Sequence, residues 1–267
     1  MTKLTAAVAG GGIGGLATAA ALAQRGWEVT VYERQDELRA VGAGIYIWEN
    51  GLRVLEAIGA FELATKNAFH GTHFEQRDNT GSIIDSAPIG GGNRLLTVPR
   101  SQLLAALAKV CEKAGVNIAT NVEITGATAR GEFFFAGGGS ERADLAVGVD
   151  GVWSKVRESL GLEQSHEQTI EGALRTMVSA DADDFRDDDI GKYIECWNGP
   201  RRFLVTPVNK EQTYLALTCP DTDVDARAIP VKKDVWRDSF PQWTHLIDRM
   251  GEYPINWGVY SVTRCHA

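Results

Sequence analysis

An α/β fold class, α+β when the whole chain is counted, follows from three observations on the sequence. Residues 4–33 read as strand, glycine turn, helix and strand. A second apolar strand, Leu145–Val149, runs into Asp150-Gly151 and then a helix. From Glu171 onward the pattern changes to short alternating runs, which predict an antiparallel sheet.

Leu4–Ala9 is a short, apolar, β-capable run that ends in glycine. Gly14–Gln24 is rich in Ala and Leu and reads as a helix, with Gly26 just past its end. Trp27–Glu33 alternates as a second strand. This is the Rossmann-like context in which a glycine pattern gains meaning. Gly10 permits the tight turn out of the first strand, and Gly12 lets a pyrophosphate approach the backbone. Gly14 and Gly15 open the helix, and Gly15 allows it to pack closely on the sheet. The helix N-terminus then offers free N–H groups to phosphate. Glu33, with Arg34 beside it, closes the second strand where an acid accepts hydrogen bonds from ribose hydroxyls and disfavours a 2′-phosphate. The predicted ligand is FAD or NAD, not NADP.

Composition excludes other classes. The 267 residues are 44% hydrophobic and 23% charged, which fits a globular chain and not a disordered or coiled-coil one. The formal net charge of −8 disfavours nucleic acid and anionic membrane surfaces. Cys111, Cys196, Cys219 and Cys265 are scattered, so neither a zinc site nor a disulfide framework is predicted. No metal is expected. The apolar run from Leu4 to Ala23 is broken by glycines and falls short of the roughly 20 residues a membrane span requires. A cytoplasmic protein with a small-molecule partner is the expectation.

Asp144–Arg157, DLAVGVDGVWSKVR, resembles the second motif of the class A flavoprotein aromatic hydroxylases, the p-hydroxybenzoate hydroxylase-like monooxygenases. Glu37–Ile47, ELRAVGAGIYI, and Pro99-Arg100-Ser101 before a helix are similar to further segments of that family. Gly42–Ala60, Arg202–Tyr214 and Val235–Pro241 resemble its pyridine-ring branch, typified by 2-methyl-3-hydroxypyridine-5-carboxylic acid oxygenase. The resemblance implies FAD as cofactor and NAD(P)H as co-substrate. It adds Arg39, Gly44, Arg100, Asp150 and Gly151 to the cofactor contacts, with Arg157 supporting the turn. It also implies a Rossmann-like FAD-binding domain, residues 1–70 and 97–170, interleaved with an antiparallel-sheet substrate domain, residues 71–96 and 171–267.

On the substrate side the resemblance points to Arg202, Tyr214, Arg175 and Tyr260, with His73 or Phe74 standing where the family has a pocket tyrosine. An arginine there would grip a carboxylate. The implied reaction is hydroxylation of an aromatic or N-heteroaromatic acid by O2 through a flavin C4a-hydroperoxide. No general base is assigned. Epoxidation or isoprenoid reduction on the same scaffold remains open, as does a non-catalytic nucleotide-binding fragment. The family's third motif, Gly-Asp-Ala, occurs nowhere, so an N-terminal portion of a longer protein is expected. Oligomeric state is left open, a homodimer being one option. Asp181–Asp189 is expected to be a solvated loop without a specific role, and Val235–Met250 one helix interrupted early by Pro241.

Overall fold

The computed structural model describes residues 3–40 and 42–266. The chain opens with β1 (Thr5–Ala9), α1 (Ile13–Ala23), β2 (Glu28–Tyr32), β3 (Gly44–Trp48), α2 (Glu49–Ala57) and α3 (Phe61–Ala64). Short strands follow: β4 (Phe69–His70), β5 (His73–Asp78), β6 (Ile83–Pro88) and β7 (Leu95–Pro99). Next come α4 (Arg100–Ala114), β8 (Asn117–Ala119), β9 (Ile124–Thr128), β10 (Glu132–Phe135), β11 (Ser140–Arg142), β12 (Leu145–Gly148) and α5 (Lys155–Ser159). The second half holds β13 (Glu163–Ser179), β14 (Lys192–Asn198), β15 (Arg201–Pro207) and β16 (Gln212–Pro220). It closes with α6 (Lys233–Ser239), α7 (Thr244–Asp248) and β17 (Asn256–Cys265).

A parallel sheet in the order β12-β1-β2-β8 forms the nucleotide-type half. Ala6, Ala7, Val8 and Ala9 are all buried, as a central parallel strand covered on both faces requires. Alanines and glycines on α1 keep its side chains short, so α1 packs closely on this sheet while Leu16, Ala19 and Ala20 bury against α4. The β3-β7-β4 sheet packs into the same core through Ile47, Leu96 and Val98.

The larger sheet runs β17-β13-β16-β15-β14-β5-β6, antiparallel except where β14 meets β5. Strand alternation gives it two unlike faces. One carries Leu174, Ile194, Phe203, Leu215 and Leu217 and is sealed by Trp236, Phe240 and Trp243 from the C-terminal helices. The other carries Arg175, Tyr214, Leu204, Glu195 and Phe74, by the observed register.

One expectation is borne out in more detail here and one changes. Val235–Met250 is two short helices joined by a 3-10 turn at Pro241–Trp243, because Pro241 cannot donate the hydrogen bond that would continue α6. The acidic loop is not simply solvated. Asp184 and Asp189 are 5% and 4% exposed, and each is held by arginine: Asp184 by Arg249, Asp189 by Arg77 at 2.6 Å. Buried carboxylates need such partners, and those partners lie far away in sequence.

Candidate active site

The glycine turn is built by backbone hydrogen bonds. Gly10 N–H donates to Tyr32 O at 2.8 Å, and Leu16 N–H closes the first helical turn on Gly12 O at 3.0 Å. Gly10 has φ +106°, and a Cβ there would lie 2.4 Å from Val149 O. At Gly15 a Cβ would sit 1.9 Å from Gly10 O, so α1 reaches the turn only because that residue is glycine. Gly14 faces Val149, whereas a Cβ on Gly12 would touch nothing within 4 Å. Gly12 therefore borders open space, the place where phosphate could approach the helix N-terminus.

Glu33 directly follows β2, one residue past the strand end and not within it as the alternation predicts, and its carboxylate is already engaged. It accepts from Gly11 N–H at 2.7 Å and from Gln35 N–H at 2.9 Å, which fixes the turn and the following loop together. Both it and Arg34 line a cleft of about 500 Å³ with Gly10, Gly12, Arg39 and Trp153. Asp150 and Gly151 lie on the same wall. The Asp150 carboxylate accepts from Ser154 Oγ at 2.5 Å and from Val156 N–H at 3.1 Å, so it ties the turn to the start of α5. Arg157 donates to Val152 O at 2.7 Å and pairs with Glu163 at 2.9 Å, bracing the same turn.

Two smaller clefts continue the first. Gly12 and Arg39 also line a space of about 150 Å³ with Arg100, and Ala40 is shared between that space and one of about 310 Å³ reaching Met177. Arg100 is fixed at the start of α4 by donating its N–H to Ala43 O at 2.9 Å. Arg39 is exposed and paired with Asp36 and Glu37. Gly44 meets the sheet: a Cβ there would lie 2.8 Å from Tyr214 Cγ. An elongated path therefore leads from the glycine turn to the polar–aromatic face of the large sheet. A dinucleotide with a ring system at one end has that shape, and FAD fits these residues better than a compact mononucleotide would.

On the sheet face, Arg175 stacks over Tyr260 at 5.2 Å, and the Tyr260 hydroxyl reaches Thr218 at 3.4 Å. Tyr214 packs with Met177, Ala216 and Ala43, and burial pushes its hydroxyl pKa up against the opposing Arg175 charge. Arg202 lies over Trp197 at 5.0 Å and donates to Glu171 at 2.6 Å. Its charge thus already has a carboxylate partner. Tyr46, which the sequence reading passed over, hydrogen-bonds Thr206 at 2.5 Å and lies 6.2 Å from the Tyr214 ring. Of the adjacent pair, Phe74 shares this face, its ring 5.1 Å from Tyr193. His73 alternates to the opposite face, where its Nδ1 is 3.0 Å from Thr72 Oγ1.

Beneath that opposite face lies an ion cluster. Glu75 and Arg77 are 2% and 4% exposed; Arg77 holds Glu75 and Asp189, and Lys192 reaches Glu75 at 2.6 Å. Burial raises the Glu75 and Asp189 pKa values, but the hydrogen-bonded cations outweigh it and both end below the usual carboxylate range. Strand parity places Glu75 and Arg77 on one face, but only the fold brings Asp189 to them. Among the described residues no His, Cys, Asp and Glu side chains are grouped for a metal, and no helix is long and apolar enough to cross a membrane.

A glycine turn, an acid at the end of β2 and an Asp-Gly turn beside them define a dinucleotide-binding flavoprotein fold. The sequence matches the FAD binding domain family over residues 3–251, and the chain belongs to that family. It is 40% identical over 99% of its length to a probable 2-heptyl-3-hydroxy-4(1H)-quinolone synthase of Rhodococcus erythropolis, of which it covers 70%. It is 37% identical over 99% of its length to a 2-heptyl-3-hydroxy-4(1H)-quinolone synthase of Mycobacteroides abscessus, of which it covers 71%. Its structure matches the tetrameric form of 2-methyl-3-hydroxypyridine-5-carboxylic acid oxygenase with a TM-score of 0.94 and 32% identity, over 100% of this chain and 72% of that one. The chain is an enzyme of the FAD-dependent monooxygenase class, with the mixed parallel and antiparallel architecture of those hydroxylases.

Proposed function

We propose that this enzyme hydroxylates an N-heteroaromatic ring with NAD(P)H and O2, and that the ring lies on the sheet face around Tyr214. The observation that carries the reading is the contact between the Gly44 loop and Tyr214, which joins the dinucleotide path to a wall of aromatic side chains. Bound FAD would supply the reduction and activation of oxygen. The chain's own residues hold and orient. Gly12 and the α1 N-terminus would hold the pyrophosphate, Glu33 and Arg34 the adenosine end, and Arg39 and Arg100 the middle of the cofactor. Residues 1–70 and 97–170 act as the cofactor-binding part, and 71–96 and 171–267 as the substrate part.

A neutral bicyclic ring suits the face better than an acid does. Arg202 is paired with Glu171 and Arg175 is stacked on Tyr260, so an incoming carboxylate would compete with partners already in place. The relatives' quinolone names point the same way. A homo-oligomer, as in the tetrameric pyridine-ring relative, belongs to the same reading. The test is incubation of the FAD-loaded enzyme with NADH or NADPH, O2 and 2-heptyl-4(1H)-quinolone. A product one oxygen atom heavier is expected. Consumption of the nicotinamide with only peroxide formed, for this ring and for simple pyridine acids alike, would reject hydroxylation.

A further inference from the structure

One carboxylate stands on the substrate face with no cation of its own. Glu195 lies mid-way along β14, between Tyr193 and Trp197 on the same side of the strand. Across the sheet its row reads Gln76, Glu195, Leu204, Ala216, Arg175. Other acids around it are occupied or open to solvent: Glu171 is held by Arg202, Glu75 by Arg77 and Lys192 on the opposite face, and Asp78 by Thr80 and Ser82, while Asp85 is exposed on the edge strand β6. Glu195 is half-buried, and its neighbour Trp197 keeps a buried Nε1 that meets no acceptor in hydrogen-bond geometry. A half-desolvated acceptor beside aromatic rings is a place for a ligand's N–H.

We infer that Glu195 is a catalytic residue that accepts the ring N–H proton of an N-heteroaromatic substrate laid on the sheet face beside Tyr46 and Trp197. The inference rests on the hydroxylase reading above. In a 4(1H)-quinolone the nitrogen is conjugated through one C=C to the carbon that becomes hydroxylated. As that carbon gives its π pair to the electrophilic oxygen delivered from O2, the nitrogen lone pair moves into the C–N bond. The N–H becomes acidic, its bond breaks, and the proton passes to a Glu195 oxygen. The oxidised carbon then loses its C–H proton to water, the C–H electron pair re-forms the ring C=C, the C=N pair returns to nitrogen, and Glu195 gives its proton back to that nitrogen; the second oxygen of O2 leaves as water. Glu195 thus undergoes no net change, and O2 and the reduced nicotinamide carry the redox balance.

The surroundings suit this exchange. Burial lifts the Glu195 pKa above the usual carboxylate range, against the pull of the Arg202 charge and of the nearby Trp197 N–H, which makes its carboxylate a stronger base than a solvated one. The titratable and charged groups facing it are Arg202 on β15, Tyr46 on β3, Tyr193 on its own strand, Tyr214 on β16 and Arg175 on β13. Asp78 and Asp85 stand nearer the sheet edge.

Two substitutions separate binding from proton transfer. Glu195→Gln keeps an acceptor but no base: in the FAD-loaded enzyme kcat should fall about 100-fold or more, with KM little changed and the acid limb of the pH profile gone. Glu195→Leu removes the acceptor, and the readout is equilibrium binding of 2-heptyl-4(1H)-quinolone against its N-methyl analogue. Wild type should prefer the N–H ligand about tenfold or more, the worth of a charge-assisted hydrogen bond, and Glu195→Leu should lose that preference. If wild type hydroxylates the quinolone but Glu195→Gln matches its kcat and pH profile, the role of Glu195 is wrong and the hydroxylase reading stands. If wild type binds neither ligand, both fall.

Discussion

Gly12→Ala should leave the protein folded and strip it of flavin, while Gly15→Ala should damage the fold itself. The two glycines are three residues apart, and sequence alone treats them as equivalent members of one motif. An alanine Cβ at position 15 would lie 1.9 Å from Gly10 O, a backbone atom that cannot move without opening the turn. Alanine is favoured over glycine within a helix by about 1 kcal/mol, so propensity predicts a gain. The clash predicts a net loss toward the upper end of the 1–3 kcal/mol typical of overpacking, or about 4–10 °C in Tm. At position 12 the new methyl meets no protein atom within 4 Å. Its cost to stability should stay within about 1 kcal/mol, the difference between Gly and Ala at a helix N-cap. It would, however, occupy the space a pyrophosphate needs, and FAD affinity should drop at least about tenfold. Thermal unfolding with FAD titration on both variants checks the pair. Equal Tm losses would show that Gly12 is structural only.

The second large effect is expected far from the cofactor. Arg77→Met removes the guanidinium that bridges Glu75 and Asp189, leaving Asp189 with the Arg186 backbone N–H and exposed side chain, and Glu75 with Lys192. Breaking a buried pair on one side costs about 3–5 kcal/mol, because the remaining charge stays desolvated. A urea titration should show the midpoint falling with the slope unchanged. A pH dependence follows from the same cluster. Both carboxylates titrate below their unfolded values of about 4, so their contribution is fully present above that pH and is lost as pH falls through the lower folded values. Wild type should therefore lose stability more steeply than Arg77→Met below about pH 4. The two curves should converge in acid.

Much of the cofactor half was legible in the sequence because its signals are local. Strand, glycine turn, helix and the acid at position 33 fall within one supersecondary unit, and Gly10, Gly14 and Gly15 answer contacts within that unit or with Val149. The Asp150 turn was legible for the same reason, although its carboxylate serves the start of α5 more directly than sequence reading expected. The substrate face was harder. Register between β14, β15 and β16 decides which residues meet, and register depends on loops that carry no periodic signal. Parity alone could have chosen Phe74 over His73 and set Glu195 beside Tyr193 and Trp197. It could not have shown Arg202 neutralised by Glu171, or Asp184 and Asp189 drawn inward by Arg249 and Arg77. Those pairings join residues far apart in the chain, so a cluster of aspartates reads as a solvent-facing loop until the partners are seen.

Residues of this chain form an FAD site running from Gly12 to the Tyr214 face. The most direct measurement is the visible absorption spectrum of the purified protein after incubation with FAD and removal of free cofactor. The account predicts retained flavin bands in the blue and near-ultraviolet, in a ratio approaching one flavin per chain. A colourless protein, folded by circular dichroism and taken through the same procedure, would contradict it.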